Sequence, residues 1–444
     1  MTSTSVIGLG YVGLSTAVSL AFNKVRVVGV DSDTNKLSQI GKGIAPFYEP
    51  KLQSMLRNSV NERWLTLTND IHEAISETDL TFITVGTPNS TNGAINLEQV
   101  KHAATSISHA IRKKNGSHLI VIKSTVTPGT TKNIIKPILD GSSATPNGRV
   151  ALVVNPEFLR QGDAMQDTLK PNVIVIGSDN KNDGDTLENF YRRLNHNRSI
   201  PVIRTNSVTA ELIKYANNAF LAMKITYINT MANICEKTPG ADVETVAKAI
   251  GFDRRIGPLF LRAGLGYGGS CFPKDLKALI TSSAQRGYRP TLLEIVQQVN
   301  EDQPLRAVEL AKKLIGSLKH KKITVLGLAF KPGTDDMREA VSLKIIRKLI
   351  DEGASVIAHD PKALENAKKI LGNSIDYAET ALEALSDADC CIIVTEWDEY
   401  RKLKPKDFVY RMRSPGIVDG RRTFNPKDFI GKVKFAAIGL GQQR

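Results

Sequence analysis

Residues 264–275 read Gly264-Leu265-Gly266-Tyr267-Gly268-Gly269-Ser270-Cys271-Phe272-Pro273-Lys274-Asp275. Clustered glycines let a backbone approach a ligand closely and hold dihedrals that other residues resist. A cysteine on such a loop, with Lys274 and Asp275 close behind it, can be exposed and electrostatically tuned as a nucleophile. The same composition also suits a buried cysteine on a glycine turn, and the residue types alone leave both readings open. The other cysteines differ. Cys390 and Cys391 are adjacent in an apolar run and Cys235 closes a helical pattern, so packing is expected of all three. The spacing of the four fits neither a zinc site nor a small disulfide scaffold, so no metal is expected.

A second constellation lies at the N-terminus. The apolar pair Val6-Ile7 leads into Gly8-Leu9-Gly10-Tyr11-Val12-Gly13, a helical segment follows, and the run from Val25 to Val30 ends at Asp31. Strand, glycine turn, helix, strand and acid are the order of a dinucleotide-binding unit. Gly8, Gly10 and Gly13 answer three steric demands: a tight turn, close approach to pyrophosphate, and close helix–strand packing. The helix N-terminus offers unpaired amides to phosphates. Asp31 is suited to the ribose hydroxyls and repels a 2′-phosphate, which points to NAD rather than NADP. Lys36 is the one nearby cation that can meet a phosphate instead.

The elements that must position these residues follow from periodicity. Further apolar runs at 80–85, 119–122, 151–154 and 173–176 alternate with helical or loop segments and predict a parallel doubly wound sheet. A long helix is predicted over 208–235, with Leu212, Ala216, Ala219, Phe220, Met223 and Met231 marking its buried face. Lys214 and Asn218, four apart, share one polar face of it. The pattern restarts at 323–327 and 356–360, with short strands at 390–394, 416–418 and 435–438. The last third is therefore a second nucleotide-binding fold, but its first turn, Gly327-Leu328-Ala329-Phe330-Lys331, lacks the three-glycine spacing and is not expected to grip a pyrophosphate in the same way. The expected architecture is α/β: two Rossmann-like doubly wound domains, 1–203 and 313–444, joined by a helical dimerisation segment, 204–312.

The chain has 444 residues, 41% hydrophobic and 23% charged, which is the composition of a globular protein of two or three compact units. No apolar run approaches the roughly 20 residues needed to span a bilayer. The N-terminus enters a strand at once, so a cytoplasmic location is expected. The net charge is +14, yet Lys and Arg are scattered among acids without an aromatic–basic pattern. Nucleic acid is thus not the expected partner; a positive field also steers anionic dinucleotides and nucleotide sugars.

The thiol loop resembles the catalytic loop of the UDP-glucose/GDP-mannose dehydrogenase family. Similar stretches run along nearly the whole chain: Val85-Gly86-Thr87-Pro88, Lys123-Ser124-Thr125-Val126, Asn155-Pro156-Glu157-Phe158-Leu159, and 329–336, which reads Ala-Phe-Lys-Pro-Gly-Thr-Asp-Asp. Arg254-Arg255-Ile256-Gly257 before the loop is similar to the UDP-glucose branch. The resemblance implies NAD-dependent four-electron oxidation of UDP-glucose to UDP-glucuronate through a thiohemiacetal and a thioester at Cys271. It implies that Lys214 and Asn218 stabilise an oxyanion, that Asp275 and Thr125 position a water, and that Glu157 is the general base of hydrolysis. Thr87, Ser124, Thr125, Lys274 and Arg338, with the glycine turn including Tyr11 and Val12, are its cofactor contacts. Its substrate contacts are Glu157, Phe158, Leu159, Lys214, Asn218, Tyr267, Gly268, Phe330, Lys331 and Arg421, with Arg255 reaching the substrate of a second subunit in a homodimer.

The sequence departs from the family's pattern at Gln161, where a second acid is usual, at Asn172-Val173, usually Asp-Arg, and at Asn96, usually Asp. Three alternatives stay open: another nucleotide sugar of the same family, such as a UDP-N-acetylhexosamine or GDP-mannose; a one-step hydroxyacid dehydrogenase, which does not need Cys271; and a silent nucleotide-binding sensor.

Overall fold

The computed structural model describes residues 3–141, 149–195 and 200–441. They cluster into two units, Met1–Asn217 and Asn218–Arg444. The first is built on strands β1 (Thr4–Ile7), β2 (Val27–Val30), β3 (Leu65–Thr68), β4 (Leu80–Ile83), β5 (His118–Ile122), β6 (Val150–Val154), β7 (Ile174–Gly177) and β8 (Val202–Thr205). The second holds β9 (Lys322–Leu326), β10 (Ser355–His359), β11 (Asp376–Tyr377), β12 (Cys390–Ile393), β13 (Gly416–Asp419) and β14 (Lys434–Ala437).

The strand orders are 3-2-1-4-5-6-7-8 and 11-10-9-12-13-14. Both reverse direction beside the first strand, at β1/β4 and at β9/β12, and ligands of such sheets bind outside the strand ends at this switch. The strands β1, β2, β4, β5, β7, β12 and β13 are buried along their whole length, so their apolar runs are continuous rather than alternating. Alternate residues still feed two cores. Val6, Phe82 and Val121 enter one cluster, and Ile7, Ile83 and Ile122 the other. Cys390 and Cys391 likewise face opposite cores of the second unit. Burial pushes the Cys390 thiol up to about 12 and raises those of Cys391 and Cys235 as well, which suits packing cysteines rather than nucleophiles.

Two expectations need correction. The first sheet is not wholly parallel: β7 pairs with β6 antiparallel, at Val154 and Gly177. The long helix forms over Ser207–Lys237, capped by the Asn206 side chain, which accepts from the Thr209 N–H at 2.8 Å. Its inner face is not the expected apolar stripe. Ala219 is buried and Met223 and Met231 are half-buried, but Leu212, Ala216 and Phe220 are exposed. Glu211, Lys214, Tyr215, Asn218 and Asn229 are buried instead. Of this inward row, Glu211, Lys214, Asn218 and Asn229 meet polar partners within hydrogen-bonding distance. Phe220, Tyr227 and Ile234, spaced by sevens, are left 56%, 51% and 53% exposed.

Candidate functional site

In the first unit, β1 runs into the glycine turn. Gly8 holds φ +93°, and a Cβ there would come within 2.9 Å of the Val85 backbone. A Cβ on Gly13 would lie 1.8 Å from the Gly8 carbonyl oxygen, so only glycine lets the helix Tyr11–Phe22 sit this close to the strand. Around Gly10 a Cβ would meet nothing within 4 Å. Gly10 is also the N-cap of the helix and makes no side-chain cap, so open space lies against an amide-bearing helix end. This cradle fits a dinucleotide pyrophosphate. Asp31 accepts from Leu9 N–H at 2.8 Å, Asp33 N–H at 3.0 Å and Lys36 Nζ at 2.9 Å. Burial pushes its carboxyl up, but these donors outweigh that and hold it below the ordinary range. Lys36 is therefore the partner of Asp31. Thr87 is buried in the loop after β4, Ser124 donates to the Val85 carbonyl at 2.7 Å, and Thr125 is half-buried beside it. Thr87 follows β4 at the switch point, and Ser124 and Thr125 follow the neighbouring β5. Tyr11 donates to the buried Glu49, which also accepts from Gly162 N–H at 2.7 Å and Ala164 N–H at 2.8 Å. Val12 lends its carbonyl to the Thr16 hydroxyl at 2.8 Å.

The same unit buries an ion pair. Lys214 Nζ lies 2.8 Å from Glu157 Oε1, and the two residues are 3% and 7% exposed. Burial raises the Glu157 carboxyl, but Lys214, the Leu159 N–H at 2.5 Å and Lys123 outweigh it and keep the group below the ordinary carboxylate range. Lys214 also stands 5.7 Å over the half-buried Phe158 ring. Gln161 is buried nearby in sequence.

In the second unit, Cys271 is the N-cap of the helix Phe272–Gln285 and is half-exposed. Asp275, one turn along, is buried and accepts from Asn218 Nδ2 at 2.7 Å and Lys274 Nζ at 2.6 Å. The loop leading to Cys271 is held by buried amides. Asn229 accepts from Gly264 N–H at 2.8 Å and Gln303 donates to the Gly264 carbonyl at 2.8 Å. Asn300 takes the Tyr267 N–H at 2.8 Å and returns a bond to its carbonyl at 3.0 Å. Arg421 donates to Gly266 at 3.0 Å and to Val394 at 2.7 Å, and burial depresses its guanidinium. Burial raises the Tyr267 phenol. A Cβ on Gly268 would lie 2.1 Å from the Glu339 carbonyl and one on Gly269 would lie 2.7 Å from the Phe330 ring. The Gly269 N–H donates to the Arg338 carbonyl at 2.9 Å. Arg338 is ion-paired with Asp336 at 2.6 Å; that bond chiefly raises its pKa, and the charge of Cys271 adds to it.

Cys271, Asp275, Asn218, Tyr267, Gly268, Phe330, Arg338 and Arg421 thus gather around one loop, with Lys331 half-buried next to Phe330. Arg255 differs: its side chain is 88% exposed and its polar contacts among the described residues are to Asp253. Sequence reasoning missed Asn229, Asn300, Gln303 and Glu49. Asn229 carried a signal, since it lies eleven residues beyond Asn218 and so on the same helix face. In the second glycine turn, the Leu328 and Ala329 amides are engaged by Asp360 at 2.7 and 3.0 Å.

A doubly wound unit with a dinucleotide cradle, followed by a second doubly wound unit with a thiol at a helix N-terminus, defines a two-unit nucleotide-dependent dehydrogenase. The chain belongs to the UDP-glucose/GDP-mannose dehydrogenase family: it matches the NAD binding domain over residues 2–195, the central domain over 208–302 and the UDP binding domain over 324–426. NAD is its cofactor. It is 43% identical to the UDP-glucose 6-dehydrogenase AglM of Haloferax volcanii, over 94% of this chain and 96% of that one. The solved UDP-glucose dehydrogenase of Pyrobaculum islandicum superimposes with a TM-score of 0.91 at 37% identity, covering 99% of this chain and 98% of its own. The UDP-D-ManNAc dehydrogenase of Pyrococcus horikoshii follows at 0.86 and 25%, with 99% of each chain covered. Among the described residues no helix is long and apolar enough to cross a membrane.

Two predictions come from this geometry. Gly13→Ala must displace the Gly8 carbonyl, so NADH affinity in a fluorescence titration should fall at least tenfold, about 1.4 kcal/mol; unchanged affinity would refute the cradle. Glu157→Gln leaves the Lys214 ammonium without its carboxylate and should cost about 3–5 kcal/mol at neutral pH, read from urea unfolding. Because the folded pKa of Glu157 is depressed, its contribution exists above the unfolded carboxylate value and is lost as pH falls through the folded one. The gap between wild type and variant should therefore close below pH about 4.5; a gap that widens in acid would contradict the assignment.

Proposed function

We propose that this protein oxidises UDP-glucose to UDP-glucuronate, with Cys271 carrying the intermediate. The observation that carries the reading is the Cys271 thiol at a helix N-terminus, one turn before the buried Asn218–Asp275 pair. The likeness to UDP-glucose 6-dehydrogenases over nearly the whole chain supports the substrate.

NAD, when bound, supplies a hydride acceptor for each of the two oxidations. The rest is work for the chain's own groups. C6 loses a hydride and its hydroxyl loses a proton, which gives an aldehyde. The Cys271 thiolate adds to that carbon, and the oxygen is protonated to give a thiohemiacetal. Loss of a second hydride and of the hydroxyl proton leaves a thioester. Water then attacks the acyl carbon, Glu157 takes one of its protons, and the carbon–sulfur bond breaks to release the thiolate and a carboxylic acid, which gives its remaining proton to solvent. Lys214 and Asn218, one cation and one neutral donor, stabilise the oxyanion at each addition. Asp275 and Thr125 hold a water that relays the alcohol proton. Thr87, Ser124, Lys274 and Arg338 join the glycine turn in holding the cofactor. Phe158, Leu159, Tyr267, Gly268, Phe330, Lys331 and Arg421 line the nucleotide-sugar site.

The protein acts as a homodimer through its central segment, 204–312. Support comes from Phe220, Tyr227, Ile234, Phe252 and Leu259, five large apolar side chains more than half exposed in the single chain. Arg255, exposed in that segment, serves the partner's substrate. Three buried cysteines with raised pKa values suit a reducing cytoplasm.

The deciding experiment is a count of NADH formed from limiting UDP-glucose in excess NAD. Two NADH per sugar are expected, and none of the second from Cys271→Ala. One NADH per sugar in both proteins would defeat the covalent mechanism. Stronger turnover of GDP-mannose or a UDP-N-acetylhexosamine would move the substrate elsewhere in the family.

A further inference from the structure

Lys123 follows directly on β5 and is 8% exposed. Its ammonium donates to Asn155 Oδ1 at 2.9 Å, and among the described residues Asn155 is its one hydrogen-bonding partner. The Phe82 ring lies 5.8 Å from Nζ. Asn155 is itself committed: the same oxygen accepts from Tyr191 at 2.6 Å, and its amide donates to the Val175 carbonyl at 2.8 Å. An ammonium carries three donors, so two are left without protein acceptors. Burying such a charge is costly unless it is solvated or paired.

Beside it lies a recess of about 80 Å3, lined by Lys123, Asn155, Glu157, Tyr191, Thr16 and the exposed Asn172. At about 30 Å3 per molecule it has room for at least two waters, and its walls offer the polar partners that a bound water needs. Glu157, the base of acyl hydrolysis in the function proposed above, forms part of the wall. The other charged groups around it are Lys214, paired with Glu157, and Asp167, paired with Arg160 at 2.7 Å.

We propose that this recess is a water-binding site supplying the hydrolysis of the Cys271 thioester, with Lys123 as the positioning residue that fixes the water against Glu157. The proposal rests on Glu157 acting as that base. It answers a need of the chemistry: water must be withheld while hydride leaves the sugar, yet one molecule must stand ready once the thioester exists. Burial pushes the Lys123 ammonium down to about 8, against the pull of Glu157, so it remains largely protonated at neutral pH and can donate to a water oxygen.

The test has a structural and a kinetic arm. A crystal structure of the full chain, at a resolution that shows ordered solvent, should place a water within hydrogen-bonding distance of both Lys123 Nζ and Glu157. A dry recess would overturn the proposal whatever the variants do. Lys123→Met keeps the side-chain volume and removes the donors. It should keep the burst of two NADH per site and kcat/KM for UDP-glucose, with KM falling in step with kcat. Its steady-state rate should fall at least about tenfold, with an acyl adduct on Cys271 seen by intact-protein mass spectrometry. Lys123→Arg, for which the recess has room, should restore most of the rate. Glu157→Asp, which keeps the charge but withdraws the base, separates the two claims. An adduct in Glu157→Asp but none in Lys123→Met would remove the role of Lys123 alone. No adduct in Glu157→Asp would remove the base assignment beneath it.

Discussion

Much of this structure depends on placing charge out of water on one helix. A buried ammonium or carboxylate loses several kcal/mol of hydration and regains it only from partners held in fixed geometry. The helix Ser207–Lys237 turns inward a row of such groups at helical spacing, and each meets a different loop. In the first unit, Glu211 accepts from the Gly129 and Thr131 amides at 2.5 and 2.8 Å, and Lys214 meets Glu157. In the second, Asn218 meets Asp275 and Asn229 meets Gly264. None of these loops has a strand ladder of its own to hold it. Part of their geometry is set by these side chains, while Phe220, Tyr227 and Ile234 of the same helix stay exposed.

The second constraint is steric. At Gly13 and at Gly268–Gly269 the backbone passes where a Cβ would overlap a carbonyl oxygen or an aromatic ring. The first contact presses the cofactor helix against its strand. The second presses the thiol loop onto Phe330 and Glu339, so that Cys271 begins a helix with its sulfur half-exposed. Asn300, bonded to both the N–H and the carbonyl of Tyr267, and Arg421, donating to the Gly266 carbonyl, then hold this loop, while Lys274 and Asn218 both donate to Asp275.

Most strands and the cofactor turn were legible because they depend on local pattern: apolar runs of strand length, and glycines whose spacing has a steric reason. The edge strands β3, β8 and β11, only partly buried, lack such runs and were missed. The direction of β7 was not legible, since periodicity carries no sign and a strand reads the same either way along the sheet. The inner face of the long helix was misread for a physical reason. Apolar spacing marks a surface that avoids water, and Leu212 and Phe220 fit that description without packing into their own chain. Of the loop-holding amides, Asn229 had a positional signal but Asn300 and Gln303 did not. Asn300 acts on a peptide 33 residues away, and an amide on a helix looks the same in sequence whether it meets solvent or a buried backbone. Lys123 was visible only as part of a family-like stretch; its burial, and the single acceptor it meets, come from β5 and the loop after β6 lying side by side.

The departures from the family pattern become interpretable once placed in the structure. Asn96 is exposed and accepts from the Glu98 N–H at 2.9 Å just ahead of a helix, a bond that an aspartate would also make. Asn172 and Val173 both line the recess beside Lys123 and Glu157, and Gln161 is buried four residues beyond Glu157. Three of the changes therefore fall near the carboxylate, whereas the cofactor turn and the thiol loop carry none of them. Asn172 and Val173 leave the recess beside the buried Lys214–Glu157 pair with fewer charged side chains than the family pattern would give it. Asp167, the other carboxylate lining the recess, is paired with Arg160, so Glu157 is the carboxylate left beside the two lysines. In this chain the part of the site that differs from the family pattern is the part that would handle water, and the part that would handle hydride is left intact.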